Sequence, residues 1–266
     1  MCQEFHFPEF FTPEQRIQRA IDNHRNLSRA DTVFVSFRHV KDDLLRYFRL
    51  PSEKVTVLPL PLRHMWIFDV KEEDVSRAGY EQQYTFPGFF LYPAATWKHK
   101  NHAALIRAIA MLKKEHSFAV YLYCTGHITD YGRDELLPMA EAAGVADRIK
   151  FLGSVSNDQL YWLYKHAHCV IVPSLYEAGS FPVIEAIYLD TPVLCSDVTS
   201  LPDTIDMPDV VFNPEDPKAI AALMLRMSTD TYFYKRCKAH LGTRRSYLTD
   251  HEPNEVVIAT YKRLLK

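Results

Sequence analysis

Glycine is scarce in this chain, with 8 in 266 residues, and no two glycines are separated by a single residue. That spacing excludes the Gly-x-Gly-x-x-Gly fingerprint, in which backbone approaches the pyrophosphate of a dinucleotide, and no Walker phosphate loop is present. The Gly-x-Ser-x-Gly elbow of a serine hydrolase is absent as well. No two aspartates lie two positions apart, so an Asp-x-Asp metal site is missing. The chain has no charge excess to speak of: 31 Lys and Arg stand against 33 Asp and Glu, a net charge of −2. Such a balance gives no long-range attraction to nucleic acid or to an anionic membrane. The five cysteines (Cys2, Cys124, Cys169, Cys195 and Cys237) form no Cys-x-x-Cys pair and read as reduced core residues. Met1 is not followed by a basic segment and an apolar stretch, and no apolar run approaches the length of a membrane span. The expectation is a protein of the cytoplasm without a signal peptide.

What is present is a regular alternation of apolar runs. Apolar residues make up 47 % of the chain, enough for one large or two small cores. Thr12, Pro13 and Gln15 predict a capped helix over 12–29. Strands are expected over 32–35 and 55–58, the latter stopped by Pro59 and Pro61, with an amphipathic helix over 40–48 between them. Residues 63–87 show no period and read as a connector carrying some local structure. From there, strand-like runs at 89–92, 119–124, 149–152, 169–172, 192–195 and 210–212 alternate with helix-like runs at 102–114, 133–143, 157–166 and 182–189. The strand runs are dense in Val, Ile, Leu and Cys without polar alternation, which indicates strands buried on both faces. This is the pattern of an α/β fold, a Rossmann-like doubly wound parallel sheet. Helices are expected over 216–227, 231–248 and 253–265, the last two separated by a break at His251-Glu252-Pro253.

The most specific text is Glu177-Ala-Gly-Ser-Phe-Pro-Val-Ile-Glu185. It follows the strand-like Cys169-Val-Ile-Val172 and opens a new helix at Ser180 and Pro182. One carboxylate is thereby expected at the mouth of the sheet and the other one turn into the next helix. Free first-turn N–H groups would lie between them. The histidine pairs His99/His102 and His166/His168 lack an acidic or cysteine companion at ligand spacing. They read as structural, the second pair sitting at a helix end where the dipole favours cations. No metal site is expected.

Residues 89–203 resemble the nucleotide-sugar-binding half of glycosyltransferase family four, retaining enzymes of the GT-B fold. The matching text is Tyr92-Pro-Ala-Ala-Thr-Trp-Lys-His-Lys-Asn-His102, Phe151-Leu-Gly-Ser-Val155 with Leu160 and Leu163-Tyr164, Pro173-Ser-Leu-Tyr-Glu-Ala-Gly-Ser-Phe-Pro-Val-Ile-Glu-Ala186, Thr191-Pro-Val-Leu-Cys-Ser-Asp197 and Ser200-Leu-Pro202. Phe10-Phe-Thr-Pro-Glu14, Ala30-Asp-Thr-Val-Phe-Val-Ser36 and Lys54-Val-Thr-Val-Leu-Pro59 resemble the last pieces of the family's first domain. The resemblance implies a remnant of the N-terminal acceptor domain over 1–62, a connector over 63–87, the nucleotide-sugar-binding domain over 88–248 and a C-terminal crossover helix over 249–266. It implies a truncated or split enzyme.

Carried over by position, Glu185 would accept the two ribose hydroxyls, a vicinal diol suited to a carboxylate. Glu177 would lie at the transferred sugar as the catalytic acid residue. Ser180, Phe181 and Val183 would offer N–H groups to the diphosphate, with Pro182 in the first helical turn and Ser180 also a plain helix cap. Lys100 would neutralise the departing diphosphate, since metal-free departure needs fixed positive charge. Many members carry Gly-Arg where Ala94-Ala95 stands here, leaving Lys98 or His99 as substitutes. Gly126, Gly153 and Val155 are candidates for close approach to base and phosphate, with ordinary turn duty as the alternative for either glycine. Trp97 reads as a packed aromatic more than as a shield for the site. Asp190 replaces a common family glycine and receives no role.

The implied function is metal-independent retaining transfer from a nucleoside-diphosphate sugar to a carbohydrate or lipid-linked acceptor. GDP-mannose is preferred over a UDP-sugar as donor, and no cofactor is expected. A non-catalytic or partner-dependent nucleotide-sugar-binding domain is the alternative, with a sugar-nucleotide epimerase of related fold behind it. A partner chain or a homodimer would cover the incomplete first domain, and no nucleic-acid partner is expected.

Overall fold

The computed structural model describes residues 2–58, 65–77, 79–249 and 254–265. Pro59, Pro61 and the break at 251–253 lie outside the described residues. The chain divides into two compact units, 1–62 with 249–266, and 63–248.

In the first unit, Thr12 and Gln15 close a reciprocal capping box. The Gln15 N–H donates to Thr12 Oγ1 (3.3 Å) and the Thr12 N–H to Gln15 Oε1 (2.9 Å), which starts the helix Pro13–Arg29. Strands β1 (Val33–Val35) and β2 (Val55–Val57) pair in parallel, Val33 opposite Val55. The helix Arg38–Phe48 joins them. Cys2, Leu27, Val35, Val40, Leu44 and Val55 make the core. A short helix, Gln3–His6, is an addition to the sequence expectation, four residues being too few to show a period. Its Glu4 is buried and accepts from Arg19 (3.0 Å) and Asn23 (3.3 Å). The last helix, Asn254–Leu264, belongs to this unit, and Arg263 donates to the Glu53 carbonyl (3.2 Å).

The second unit is built on six parallel strands: β3 (Phe90–Pro93), β4 (Leu122–Thr125), β5 (Ile149–Phe151), β6 (Cys169–Val172), β7 (Val193–Ser196) and β8 (Val211–Phe212). Their spatial order is β5-β4-β3-β6-β7-β8. The chain winds outward from β3 to β5, then returns to lay β6 on the other side of β3. That reversal leaves a crevice beyond the carboxyl ends of β3 and β6, the usual ligand position in open α/β sheets. Every residue of β4, β6 and β7 is buried, because helices cover both faces.

Two local differences from the sequence reading have physical causes. The helix expected over 133–143 opens as a π turn, Gly132–Leu136, before the α-helix Leu137–Ala142. Pro138 has no N–H for a regular i−4 bond, and the Leu137 N–H reaches back five residues to Gly132. The helix Leu201–Ile205 has five residues and no readable period. The unpatterned segment before β3 carries one-turn elements at Trp66–Phe68, Glu72–Arg77 and Tyr80–Gln83. The Tyr84 ring meets Tyr123 and Trp162 at 5.6 and 5.4 Å, which anchors this segment to the second unit. No helix among the described residues is long and apolar enough to cross a membrane.

The loops after β3 and β4 are locked together. Thr96 and Thr129 exchange three hydrogen bonds, including Thr129 N–H to Thr96 Oγ1 at 2.8 Å and Thr129 Oγ1 to the Thr96 carbonyl at 2.7 Å. Gly126 sits at φ +99°, and a Cβ there would lie 2.7 Å from the Ala95 nitrogen. Gly153 has φ +71° with open space around it. Gly126→Ala is therefore expected to cost about 3 kcal/mol, overpacking added to left-handed strain, against about 1 kcal/mol for Gly153→Ala. Urea titration of both variants checks the order.

Candidate functional site

Two loops meet over the β3/β6 crevice. Residues 94–101 leave β3, and residues 173–180 leave β6. The Leu175 N–H donates to the His99 carbonyl at 2.8 Å. Asn101, in the left-handed region at φ +57°, sends its amide to the carbonyls of Pro173 (3.1 Å) and Pro214 (2.9 Å). Held this way, Lys100 Nζ meets Glu177 Oε1 at 2.6 Å, with the two side chains 19 % and 7 % exposed. Ser174 Oγ donates to the same oxygen at 2.6 Å. Beneath it, the buried Tyr92 hydroxyl donates to the Lys100 carbonyl (2.8 Å) and lies 3.1 Å from Ser174 Oγ. Burial, and then the Glu177 charge, hold the Tyr92 phenol far above its ordinary pKa, so it stays a neutral donor. Glu177 is thus an enclosed and oriented acid, not a solvated loop residue. Its Oε2 carries no hydrogen bond from the described residues.

The helix Phe181–Tyr188 starts directly behind Glu177. Ser180 occupies the N-cap position, but its side chain makes no capping bond, contrary to the sequence expectation. Its Oγ is buried and unpartnered, because the backbone there (φ −97°, ψ 98°) does not return the hydroxyl to the first turn. The N–H groups of Phe181 and Val183 belong to the first turn, which no helical carbonyl can satisfy. Pro182 has no N–H to leave open. Val183 is buried, and Phe181 is half exposed.

One turn on, Glu185 is 8 % exposed, and both its oxygens are engaged. Trp66 Nε1 donates to Oε1 at 2.7 Å, and the Tyr164 hydroxyl donates to Oε2 at 2.6 Å. Burial raises the pKa of this carboxyl, and the two donors pull it back.

Gly126 and Gly153 follow β4 and β5 and bond to each other, the Gly126 N–H donating to the Gly153 carbonyl at 2.8 Å. Backbone crowding at Ala94–Ala95 accounts for the first glycine, and a left-handed turn for the second. Val155 is half buried two residues further on. Trp97 is 52 % exposed, so it is not the packed aromatic the sequence suggested. It precedes a one-turn helix, Lys98–Lys100, with no core beneath it. Lys98 pairs with Glu135 at 3.7 Å and lies over the Tyr131 ring. Burial, and then Lys100, push His99 down to about 4, so it carries no charge at neutral pH. His99 therefore supplies no second cation beside Lys100, and Lys98 is turned toward Glu135.

His166 and His168 bond to the carbonyls of Trp162 (2.8 Å) and Met227 (3.0 Å). Among the described residues no three His, Cys, Asp or Glu side chains gather as a metal site. Concave depressions on the helix Pro13–Arg29, lined by residues such as Arg16 and Ile17, share no residue with the crevice. Tyr92, Tyr164 and Ser174 all lie inside the matching text but receive no role from sequence, whereas Trp66 carries no signal beyond the short apolar run Met65–Phe68.

The switch point of the parallel sheet thus brings together an uncapped helix start and two flanking acids. The sequence model described as "Glycosyl transferases group 1" matches residues 81–240, and the chain belongs to that family. It is 27 % identical over 241 residues to the serotype-specific mannosyltransferase WbdA of Escherichia coli. That alignment covers 90 % of this chain and 29 % of the relative. It is 26 % identical over 230 residues to the O-antigen chain mannosyltransferase B of Escherichia coli, covering 86 % of this chain and 58 % of the relative. The chain thus spans between about a third and three fifths of the length of these relatives. Among solved structures, HepE of Anabaena in complex with UDP-glucose superposes with a TM-score of 0.73 at 16 % identity. It covers 97 % of this chain and 69 % of that one. WaaG, a glycosyltransferase of lipopolysaccharide biosynthesis, superposes at 0.65, also at 16 % identity, over 90 % of this chain and 64 % of that one. These two likenesses establish the GT-B fold relationship.

His102 opens the helix after Lys100 and packs tilted, at 40°, against Tyr92 with ring centroids 4.6 Å apart. It is fully buried, and no well-formed hydrogen bond reaches either ring nitrogen. Burial pushes its pKa down to about 3, against an opposing contribution from the Ala94 backbone. The unfolded chain takes up this proton near 6.5, so the stability present above pH 6.5 falls on acidification toward the folded value. His102→Gln is expected to remove about 3 kcal/mol of the loss between pH 6.5 and 4, whatever its stability at neutral pH. Denaturant titrations at a series of pH values measure this difference in slope.

Proposed function

We propose that this chain is the donor-binding part of a glycosyltransferase of the family-four type that transfers a sugar from a nucleoside diphosphate with retention and without a metal. The observation that carries the reading is the Lys100–Glu177 pair at the sheet's switch point, beside an uncapped helix start and one helical turn from Glu185. An ammonium has three donors, and Glu177 takes one; the others are available to a diphosphate leaving group. The free Oε2 of Glu177 suits a hydroxyl of the transferred sugar. The first-turn N–H groups of Phe181 and Val183 suit phosphate oxygens. Glu185, with lone pairs beyond those used by its two donors, suits the ribose diol. Gly126, Gly153 and Val155, at the ends of β4 and β5, line the side on which the base would lie.

The mannosyltransferase names of the relatives support mannose as the sugar and GDP-mannose as the donor, and the UDP-glucose complex of HepE supports a nucleotide sugar more generally. The acceptor is a carbohydrate or lipid-linked saccharide. A second reading is binding without turnover by this chain alone, with a partner chain or second copy completing the enzyme.

Titration calorimetry with GDP and UDP, set beside a transfer assay with GDP-mannose, separates the readings. Glu185→Gln is expected to weaken nucleoside diphosphate binding by about 1–3 kcal/mol through loss of a charged acceptor. Glu177→Gln is expected to leave the nucleotide Kd within about twofold while lowering transfer. An unchanged Kd for the first variant removes the ribose assignment, and a lost Kd for the second exchanges the two roles.

A further inference from the structure

Glu185 is already occupied. Its carboxylate is enclosed by two donors that come from different directions. The Tyr164 hydroxyl sits in the core at 0 % exposure, and the Tyr164 backbone is held in turn by the Thr191 hydroxyl at 2.7 Å. That donor cannot leave without opening the core. Trp66 differs. It is only partly buried and stands on a one-turn helix, Trp66–Phe68. That turn is held to the unit by the buried Ile67 and by an edge contact of the exposed Phe68 on Tyr188 (5.6 Å). The indole N–H bond at 2.7 Å occupies Oε1, the carboxylate oxygen that Tyr164 leaves open. An indole N–H and a sugar hydroxyl ask the same thing of a carboxylate, a lone pair in the same direction.

We infer that Trp66 is a resident competitor for the ribose site: its indole fills the hydroxyl position on Glu185 in the unliganded protein, and nucleotide binding displaces it. The inference rests on the reading of Glu185 as the ribose acceptor. The apparent affinity for nucleotide is lowered by the fraction of molecules in which the indole is docked. Occupation also keeps the buried carboxylate hydrogen-bonded when no ligand is present, avoiding the cost of an unsatisfied charge.

Two measurements test it on the whole chain. Calorimetry with GDP and UDP is run on the wild type, Trp66→Phe, Glu185→Gln and the double variant. The competitor predicts about tenfold tighter binding to Trp66→Phe than to the wild type, and no such gain when the same change is made in Glu185→Gln. Affinity for Trp66→Phe equal to or below that of the wild type overturns the inference and leaves Trp66 as a positioning residue for the carboxylate. Glu185→Gln binding as well as the wild type overturns the ribose reading itself, so the two failures are distinct. Absence of binding to both the wild type and Trp66→Phe overturns both. The second measurement needs no variant at position 66 to fold: the indole N–H resonances of the 15N-labelled wild type are followed through a GDP titration. Trp97→Phe and Trp162→Phe identify the remaining signal. Movement of the Trp66 signal from a hydrogen-bonded to a solvated position supports displacement, and a signal fixed at saturating GDP overturns it.

Discussion

A lysine and a glutamate 77 residues apart in sequence share a hydrogen bond of 2.6 Å, and much of the second unit is arranged to bring them together. Lys100 ends a one-turn helix after β3, and Glu177 lies in the loop after β6. The two strands are neighbours only because the chain reverses its winding direction between β5 and β6. A largely buried ion pair is a costly thing to build unless further hydrogen bonds support it. Here Ser174, Tyr92, Asn101 and Ser196 provide them. Ser196 reaches the Ser174 carbonyl at 2.6 Å from β7, so four segments of the sheet edge contribute to the position of one carboxylate.

The neighbouring helix start has the opposite character. Its first-turn donors are left without a side-chain cap, and the Ser180 hydroxyl is buried without a partner. Unsatisfied donors at a helix N-terminus are destabilising in a dry setting and favourable to an anion. The sheet edge therefore combines a satisfied, charge-compensated pair with an unsatisfied dipole end. Under the proposed function, a diphosphate entering there would gain donors from the helix and a share of the Lys100 ammonium without having to create positive charge.

Much of this was legible in residue order. The apolar runs without polar alternation located six strands to within a few residues, since burial on both faces leaves no polar position. The capping box at Thr12 is a local, four-residue signal, and it forms as a bonded pair. The Glu177–Glu185 spacing placed one acid before a helix and one inside it because loop and helix rise are short-range geometry. Weaker signals failed for equally physical reasons. Trp97 has an aromatic's usual prior for burial, yet it lies on a loop and stays about half exposed. Ser180 has the right residue type for a cap, but the backbone torsion decides whether its hydroxyl returns.

Sequence by itself determined the alternation of elements, the parallel sheet, the family and which residue types stand at the sheet edge, because each of those follows from periodicity or from contiguous text. Only the tertiary structure decided who partners whom. That Lys100 meets Glu177, that Lys98 turns instead to Glu135, and that Trp66 reaches Glu185 across 119 residues depend on strand order and side-chain direction. Hydrogen bonds act over about 3 Å, and no spacing along the chain states which distant donors the fold will bring within that reach.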